Sequence, residues 1–288
     1  MKYAWIETQR HQYPLERLCA AVEVSLSGFH RHRQEPESPR AVANRGLLTA
    51  IRARHSESDG VYGAPRIHQD LLEDGQSCGL QRVQRLMRRN GIRSCVRRRY
   101  KATTDSQHAH PVAANLLKQE FSVAAPNHTW VADITYIRTR EGWLYLAVVL
   151  DLYSRALIGW AMSERINREL VMQAMTMAIQ NRKPAPGLIH HSDRGSQYAS
   201  DDFQKLLKMN QIVPSMSGAG NCYDNAVMES FFHSLKTERV RHRRYETRAE
   251  AKSDLFQYIE VFYNRRRRHS SIGYQTPLGY EQMKALAA

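Results

Sequence analysis

The sequence predicts an α/β protein, a mixed sheet covered by helices and preceded by helical, basic segments. Three patterns point there. From Phe121 to Ser163 apolar residues alternate or run on like strands joined by short turns. From Leu170 onward helix-like and strand-like segments take turns. Before Phe121 the apolar residues recur at helical spacing instead. A chain of 288 residues has room for two or three domains, one with a sizeable core. The texture divides it into 1–38, 45–101, a linker 102–120, the α/β region 121–245 and a helical extension 246–288.

In PLERLCAAVEVSLSGFHRHRQ, Leu15, Leu18, Cys19 and Val22 share a helical face. A turn at Val24-Ser25 leads to a second helix with Phe29 inward and Arg31, His32 and Arg33 outward, like a helix-turn-helix. EPESP, residues 35 to 39, is a linker candidate. A second such unit follows. One helix starts near Pro65, carries the apolar Ile67, Leu71 and Leu72, and stops at Gly75; the next presents Leu80, Val83, Leu86 and Met87 and ends at Asn90-Gly91. The stretch Thr103 to Pro111 is patternless, a hinge candidate.

WVADITYI, WLYLAVVLDLYS and RALIGWAMS then read as an antiparallel meander, with turns at Glu141-Gly142 and Ser154-Arg155. LVMQAMTMAIQNR is a helix, PAPGLIHHSD a loop and strand, SDDFQKLLKMN a helix and IVPSMS a short strand, bringing the strands to five. Helices, DLFQYIEVFYNRR among them, close the chain.

The net charge of +14 calls for an anionic partner, and nucleic acid is the commonest for such a protein. The charge is clustered. Nine Lys or Arg and no acid lie between Arg82 and Lys101, and Arg265 to Arg268 form a second run. The helix at 80–89 would show Arg82, Arg85, Arg88 and Arg89 to a DNA backbone, with Arg97, Arg98 and Arg99 continuing the track. A basic, solvated helix is the bland alternative. The four cysteines are scattered without a C-x-x-C pair, which argues against a zinc site or a disulfide framework and fits a cytoplasmic protein. MKYAWIETQR has no apolar signal core, and the run Leu144 to Leu150 is too short to span a bilayer, so no membrane role is expected.

Three carboxylates attract notice. Asp193 in HHSDRGSQY sits where a strand gives way to a turn, where an Asp is commonly a cap. Asp133 lies mid-strand, where Asp is disfavoured and its charge is costly unless it faces water or a cation. Glu229 lies on a helix whose Val227, Met228, Phe231 and Leu235 oppose a polar stripe of Asn225, Glu229, His233 and Lys236, with Asp224 or Asn221 as its cap. Converging, the three acids would suit hard divalent cations and in-line displacement at a phosphodiester. Tyr198, Tyr223 and Tyr263, weighed as nucleophiles, lack a defensible His/Arg constellation.

At these residues the chain resembles the retroviral-integrase-like DDE transposases, and more narrowly the bacterial insertion-sequence proteins called OrfB. The resemblance rests on TWVADITYI, GWLYLAVVLDLYSRALIGW, HSDRGSQY, GNCYDNAVMESFFHSLKTE, YNRRRRHSSIGYQTPLGYE and the YGAPRI…RLMRRNGI helix-turn-helix, in order over most of the chain. Thirty-five residues separate Asp193 from Glu229, the interval of the family's second and third acids. The resemblance implies a ribonuclease H-like core with a mixed five-stranded sheet, preceded by helix-turn-helix modules. It implies Asp133, Asp193 and Glu229 as catalytic acids holding two Mg2+ ions, with Mn2+ as a substitute. Lys236 matches a DNA-touching basic residue; Asn225 and His233 are added from the helix face. Asp151, in a family-like motif, is expected to be structural.

The implied activity is DNA cleavage and strand transfer at the terminal inverted repeats of an insertion sequence. The implied partners are double-stranded element-end and target DNA, further copies of the chain (a dimer or higher), and an upstream-frame product joined by frameshifting, this chain then being the downstream part. The expected setting is the bacterial cytoplasm, at the nucleoid. Two departures stand out. Gly218-Ala219 occupies a loop where members often carry a basic residue, and helical modules replace the retroviral zinc-binding module. A nuclease of the same fold and a non-enzymatic DNA-binding regulator are the rivals.

Overall fold

The computed structural model describes residues 1–34, 37–95, 113–218 and 222–287, and groups them into two units, Met1–Ser94 and Cys95–Ala288. The proposed hinge from Thr103 to Pro111, and Arg97, Arg98 and Arg99, lie outside the described residues.

The first unit is helical. α1 (Lys2–Gln9), α2 (Leu15–Ala21) and α3 (Leu26–Gln34) bury Ile6, Leu18, Cys19 and Phe29 together, with Leu15, Val22 and Val24 packed alongside. α1 lacks an apolar period, since Ile6 is its only buried residue, and no pattern in the sequence announced it. α4 (Pro39–Glu57) was also unannounced. Its start is well specified: the Ser38 hydroxyl accepts the Ala41 N–H at 3.2 Å and Pro39 opens the first turn. Only Leu47 and Ile51 of its nineteen residues are buried, too thin a stripe to read as a period.

α5 (Ala64–Glu73) and α6 (Leu80–Arg89) bury Ile67 and Leu71, and Val83, Leu86 and Met87. Leu72, apolar like its neighbour, is exposed, one step round the helix from Leu71. Gly75 and Gly91 take positive φ at the two helix ends, where a side chain would be strained. Arg54 of α4 forks onto Asp74, just past α5, at 2.6–2.8 Å, and Arg82 Nε of α6 donates to Asn44 Oδ1 at 2.8 Å. The expected pair of helices is therefore tied to a third.

The second unit is built on a five-stranded sheet ordered β3-β2-β1-β4-β5, comprising β1 (Thr129–Thr139), β2 (Gly142–Asp151), β3 (Leu157–Ser163), β4 (Ile189–Ser192) and β5 (Val213–Met216). β1, β2 and β3 form the antiparallel meander, while β4 and β5 add on in parallel. The sheet is mixed, as the sequence predicts. α7 (Arg168–Arg182), α8 (Ser196–Ala199) and α9 (Asp201–Met209) contribute to a core against Trp130, Ala132, Ala147 and Val149. On the other face α10 (Ala226–Glu238), α11 (Arg248–Phe256) and a wide helical turn at 257–263 bury Met228, Phe231, Leu235, Tyr258 and Tyr263 against Val131, Ile137, Leu146 and Val148. α12 (Pro277–Leu286) closes the chain. Gly159 fixes how closely α7 lies on β3: a Cβ there would stand 2.2 Å from the Ala174 carbonyl oxygen. Among the described residues no helix is long and apolar enough to cross a membrane.

Candidate functional site

The site begins with strand alternation. Val131, Asp133, Thr135 and Ile137 point to one face of β1, and their partners across β2 are Leu150, Val148, Leu146 and Leu144. All four β2 partners belong to the core that α10 and α11 cover. Asp133 therefore stands in a largely apolar row, although it is itself partly exposed. Burial pushes its carboxyl well above the ordinary range; Asp193 and Glu229 push it further, while the Ile134 N–H and Lys236 oppose them.

Sheet register explains the meeting with Asp193. β1 and β4 run in parallel with Val131 opposite His191. Carried two residues on, that offset sets Asp133 opposite Asp193, at the carboxyl end of β4, where open sheets of this kind place their ligands. Asp193 Oδ1 accepts the Gly195 N–H at 2.9 Å and Asp133 Oδ1 accepts the Ile134 N–H at 2.7 Å. The turn interpretation of Asp193 thus holds in part, although the N-cap of α8 is Gly195, with no side-chain cap.

α10 delivers Glu229, His233 and Lys236, all partly exposed, from above β1. Burial and Arg241 lower the Lys236 ammonium, and Asp133 holds it up. Its Nζ lies 4.8 Å from the centre of the Tyr136 ring. The helix is less two-faced than its spacing suggests, for Phe232, Thr237 and Glu238 are buried too. Asn225, expected at the DNA, is buried with its Oδ1 unpaired, which contradicts a surface contact. Asp224 does not cap α10. Its carboxylate accepts from Asn115 Nδ2 and the Gly218 N–H, both at 2.8 Å, and from Gln119 Nε2 at 3.3 Å, pinning the strand-entry segment and the glycine loop. Asn221 lies outside the described residues.

The neighbours of the acids are mostly structural. His191 bonds Ser215 and Ser217 through its two ring nitrogens, and burial holds it near 4; His190, buried against Tyr198 and Phe203, is pushed down to about 3. Both are neutral imidazoles at physiological pH. Tyr198 has a buried hydroxyl without a partner among the described residues, and burial, Asp133 and Asp193 together raise it far above its usual range, so it is no nucleophile. Tyr263 does lie between an Arg and a His, with Arg267 5.7 Å and His269 4.8 Å from its ring centre, but it is buried in the core and closed to a DNA substrate. Asp151 is fully buried at the end of β2 and accepts the Asn127 and Tyr153 N–H groups at 2.8 and 2.9 Å, a structural role as expected.

The arginine run at 265–268 divides. Arg265 and Arg266 are exposed, but Arg267 and Arg268 are only 5% and 7% exposed. Arg267 grips both oxygens of Glu238, at 2.6 and 2.8 Å, and Ser234 Oγ at 2.9 Å. Burial pulls its guanidinium down, and Glu238 more than reverses this. Arg268 donates to the Tyr274 carbonyl. Arg267 instead clamps the helix that carries Glu229, and Arg268 ties down the segment at Tyr274. Nothing in the charge pattern marked Glu238 as its partner. On α6, Arg82 and Arg85 are partly exposed and Arg88 and Arg89 exposed.

Among the described residues no three His, Cys, Asp or Glu side chains are already arranged as a metal-holding group. Asp133 and Asp193 each turn one oxygen onto a local N–H. The donor chemistry nevertheless fits a hard divalent cation: three partly exposed carboxylates whose charges repel each other, Asp133 having no arginine bound to it among the described residues.

Comparison with known proteins agrees with this architecture. Residues 123–222 and 229–284 match two family models, each described as an integrase core domain, and residues 42–100 match one described as an HTH-like domain. The chain is 43% identical to the insertion element IS600 uncharacterized 31 kDa protein of Shigella sonnei, over 92% of this chain and 97% of that protein. It is 41% identical to the transposase InsF for insertion sequence IS3A of Escherichia coli (strain K12), over 98% of each. Among solved structures, the HTLV-2 integrase catalytic core domain in complex with magnesium is 17% identical with a TM-score of 0.43, over 54% of this chain and 97% of that one.

Proposed function

For this chain, which belongs to the IS3-family insertion-sequence transposases of the InsF (OrfB) type, we propose that Asp133, Asp193 and Glu229 are the catalytic acids. The protein is a DDE polynucleotidyl transferase that acts in DNA transposition through an integrase core. One observation carries the assignment of its acids. Asp133 is set in an apolar row where its charge is costly, and the carboxylates that aggravate the cost are Asp193 and Glu229.

The reaction has two displacements at phosphorus. Hydrolysis at an element end frees a 3′-hydroxyl, and that hydroxyl then attacks a second phosphodiester. Two Mg2+ ions, with Mn2+ as a substitute, would be held by the three acids and would activate the entering oxygen and neutralise the departing one. The chain's own residues supply position. β1 holds Asp133, the turn that Asp193 closes on the Gly195 N–H holds Asp193 at the end of β4, and α10 sets Glu229 and Lys236 on one side. Lys236 and His233 would meet the phosphate backbone, and Arg85, Arg88 and Arg89 of the helical unit would contact DNA as well, Arg82 less freely because of Asn44. Paired element ends require at least two copies, and a frameshift fusion with an upstream product would add a further DNA-binding module.

The test is cleavage and joining of element-end DNA by Asp133→Asn, Asp193→Asn and Glu229→Gln proteins. Each is expected to lose both steps, by several orders of magnitude, while binding DNA with unchanged affinity. Retained cleavage in all three would remove the assignment, and cleavage without joining by the wild type on synapsed ends would favour a hydrolytic nuclease.

A further inference from the structure

Beside the acids the sheet carries a surface that the two displacements leave unused. Tyr136 is 48% and Trp143 46% exposed, although both are large apolar-bodied rings on the strands of the core. They touch edge to face, with ring centres 5.1 Å apart. Arg138 stands two residues from Tyr136 and directly across the ladder from Trp143, so the three side chains share a face. Arg138 is exposed and has no ion-pair or hydrogen-bond partner among the described residues. Lys236 completes the group from α10, its ammonium over the Tyr136 ring.

Such a set is unusual for a solvated strand end. Core demand does not explain it, because neither ring is buried. Ion pairing does not explain Arg138. Aromatic faces interleaved with unpaired cations are what a protein offers to nucleic acid whose bases are open: rings stack on bases and cations follow the phosphates. A base inside a duplex has both faces covered, so only an unpaired nucleotide could use the rings. The position fits. Tyr136 is three residues along β1 from Asp133, about 10 Å at strand rise, and the odd spacing puts its ring on the opposite face of the strand; β4 pairs with β1 only as far as Val131, so a DNA strand crossing that free edge would span the two with one or two nucleotides. Lys236 bridges the two, as it reaches the Tyr136 ring while its charge acts on Asp133.

We propose that Tyr136 and Trp143, with Arg138 and Lys236, form a stacking platform for an unpaired nucleotide of the DNA strand beside the cleaved phosphodiester. The ligand class is single-stranded DNA at an opened or frayed end, recognised without base identity. The proposal rests on the placement of the active site at Asp133. Opening the last pairs costs energy, and stacking would return part of it, so the platform would help to expose the reacting phosphate.

The experiment uses the full chain without metal and a duplex ending in a short single-stranded tail that carries a fluorescent purine analogue. Binding of the wild type should quench the analogue through stacking. Trp143→Ala and Tyr136→Ala should each lose the quench and bind the tailed duplex roughly tenfold more weakly, in line with the value of a stacked base. Blunt, fully paired duplex should bind them as it binds the wild type. Trp143→Phe, which keeps a ring, should retain most of the quench. Equal quenching by wild type and Trp143→Ala, or equal loss of affinity for blunt and tailed DNA, would overturn the platform. Because the assay needs no cleavage, its failure is separable from that of the acid assignment, which Asp133→Asn, Asp193→Asn and Glu229→Gln decide on their own.

Discussion

On α6, arginines alternate with buried Val83, Leu86 and Met87, and Arg88 and Arg89 reach water; at 265–268 four arginines stand in a row and two of them are buried. The runs differ in what the backbone allows. A helix gives each residue type its own face, so spaced arginines can all stay outside. Four consecutive side chains point several ways in any backbone conformation, so part of a continuous run beside a core must turn inward. A guanidinium that does so needs a carboxylate, and Glu238 supplies it. One run is therefore expected to act through DNA and the other largely through stability.

The largest effect should come from the buried pair. Arg267→Leu leaves Glu238 uncompensated and should cost about 3–5 kcal/mol of stability, read as a drop in urea midpoint. The double variant Arg267→Leu/Glu238→Leu should recover much of that loss. A single variant as stable as wild type would break the comparison.

Next come the α6 arginines. Arg88→Ala and Arg89→Ala should each leave the melting temperature almost unchanged, within about 0.5 kcal/mol. Each should weaken DNA binding and make the log–log salt slope shallower by roughly 0.9. An unaltered slope would mean that α6 is merely solvated.

A smaller effect concerns the acids themselves. Asp133 titrates above its unfolded value, so the cost of its charge is absent while it is protonated and grows as the pH rises through its folded range. Asp133→Asn should accordingly be more stable than wild type at neutral pH, by about 0.5–2 kcal/mol. The advantage should fade as the pH falls below the ordinary carboxylate range. Thermal melts across pH give the answer, and a variant less stable than wild type at every pH would refute the burial argument. The smallest effect is expected at Arg265, where alanine should move neither the melting temperature nor the folding midpoint measurably.

These contrasts also mark what could be read before the fold was known. All five strands and the helices between them were legible, because their apolar periods are strong and Gly142 and Arg155 take turn conformations where turns were expected. α1 and α4 were not, since one and two buried residues make no period. The three acids could be nominated by residue type and spacing. That Asp133 lies in an apolar row needed the strand register and the helices above it. Asp224, Glu238 and Asn225 were misjudged or missed because their partners or surroundings come from distant parts of the chain, Asn115 and Arg267 among them. Charge in a sequence names what needs a partner but not where that partner is.

Magnesium titration followed by thermal melting tests the gathering of the acids most directly. Wild-type protein should melt at rising temperature as magnesium is added, by the linkage RT ln(1 + [Mg2+]/Kd), and Asp133→Asn should gain little or nothing. Equal gains in the two proteins would contradict a cation site built on Asp133.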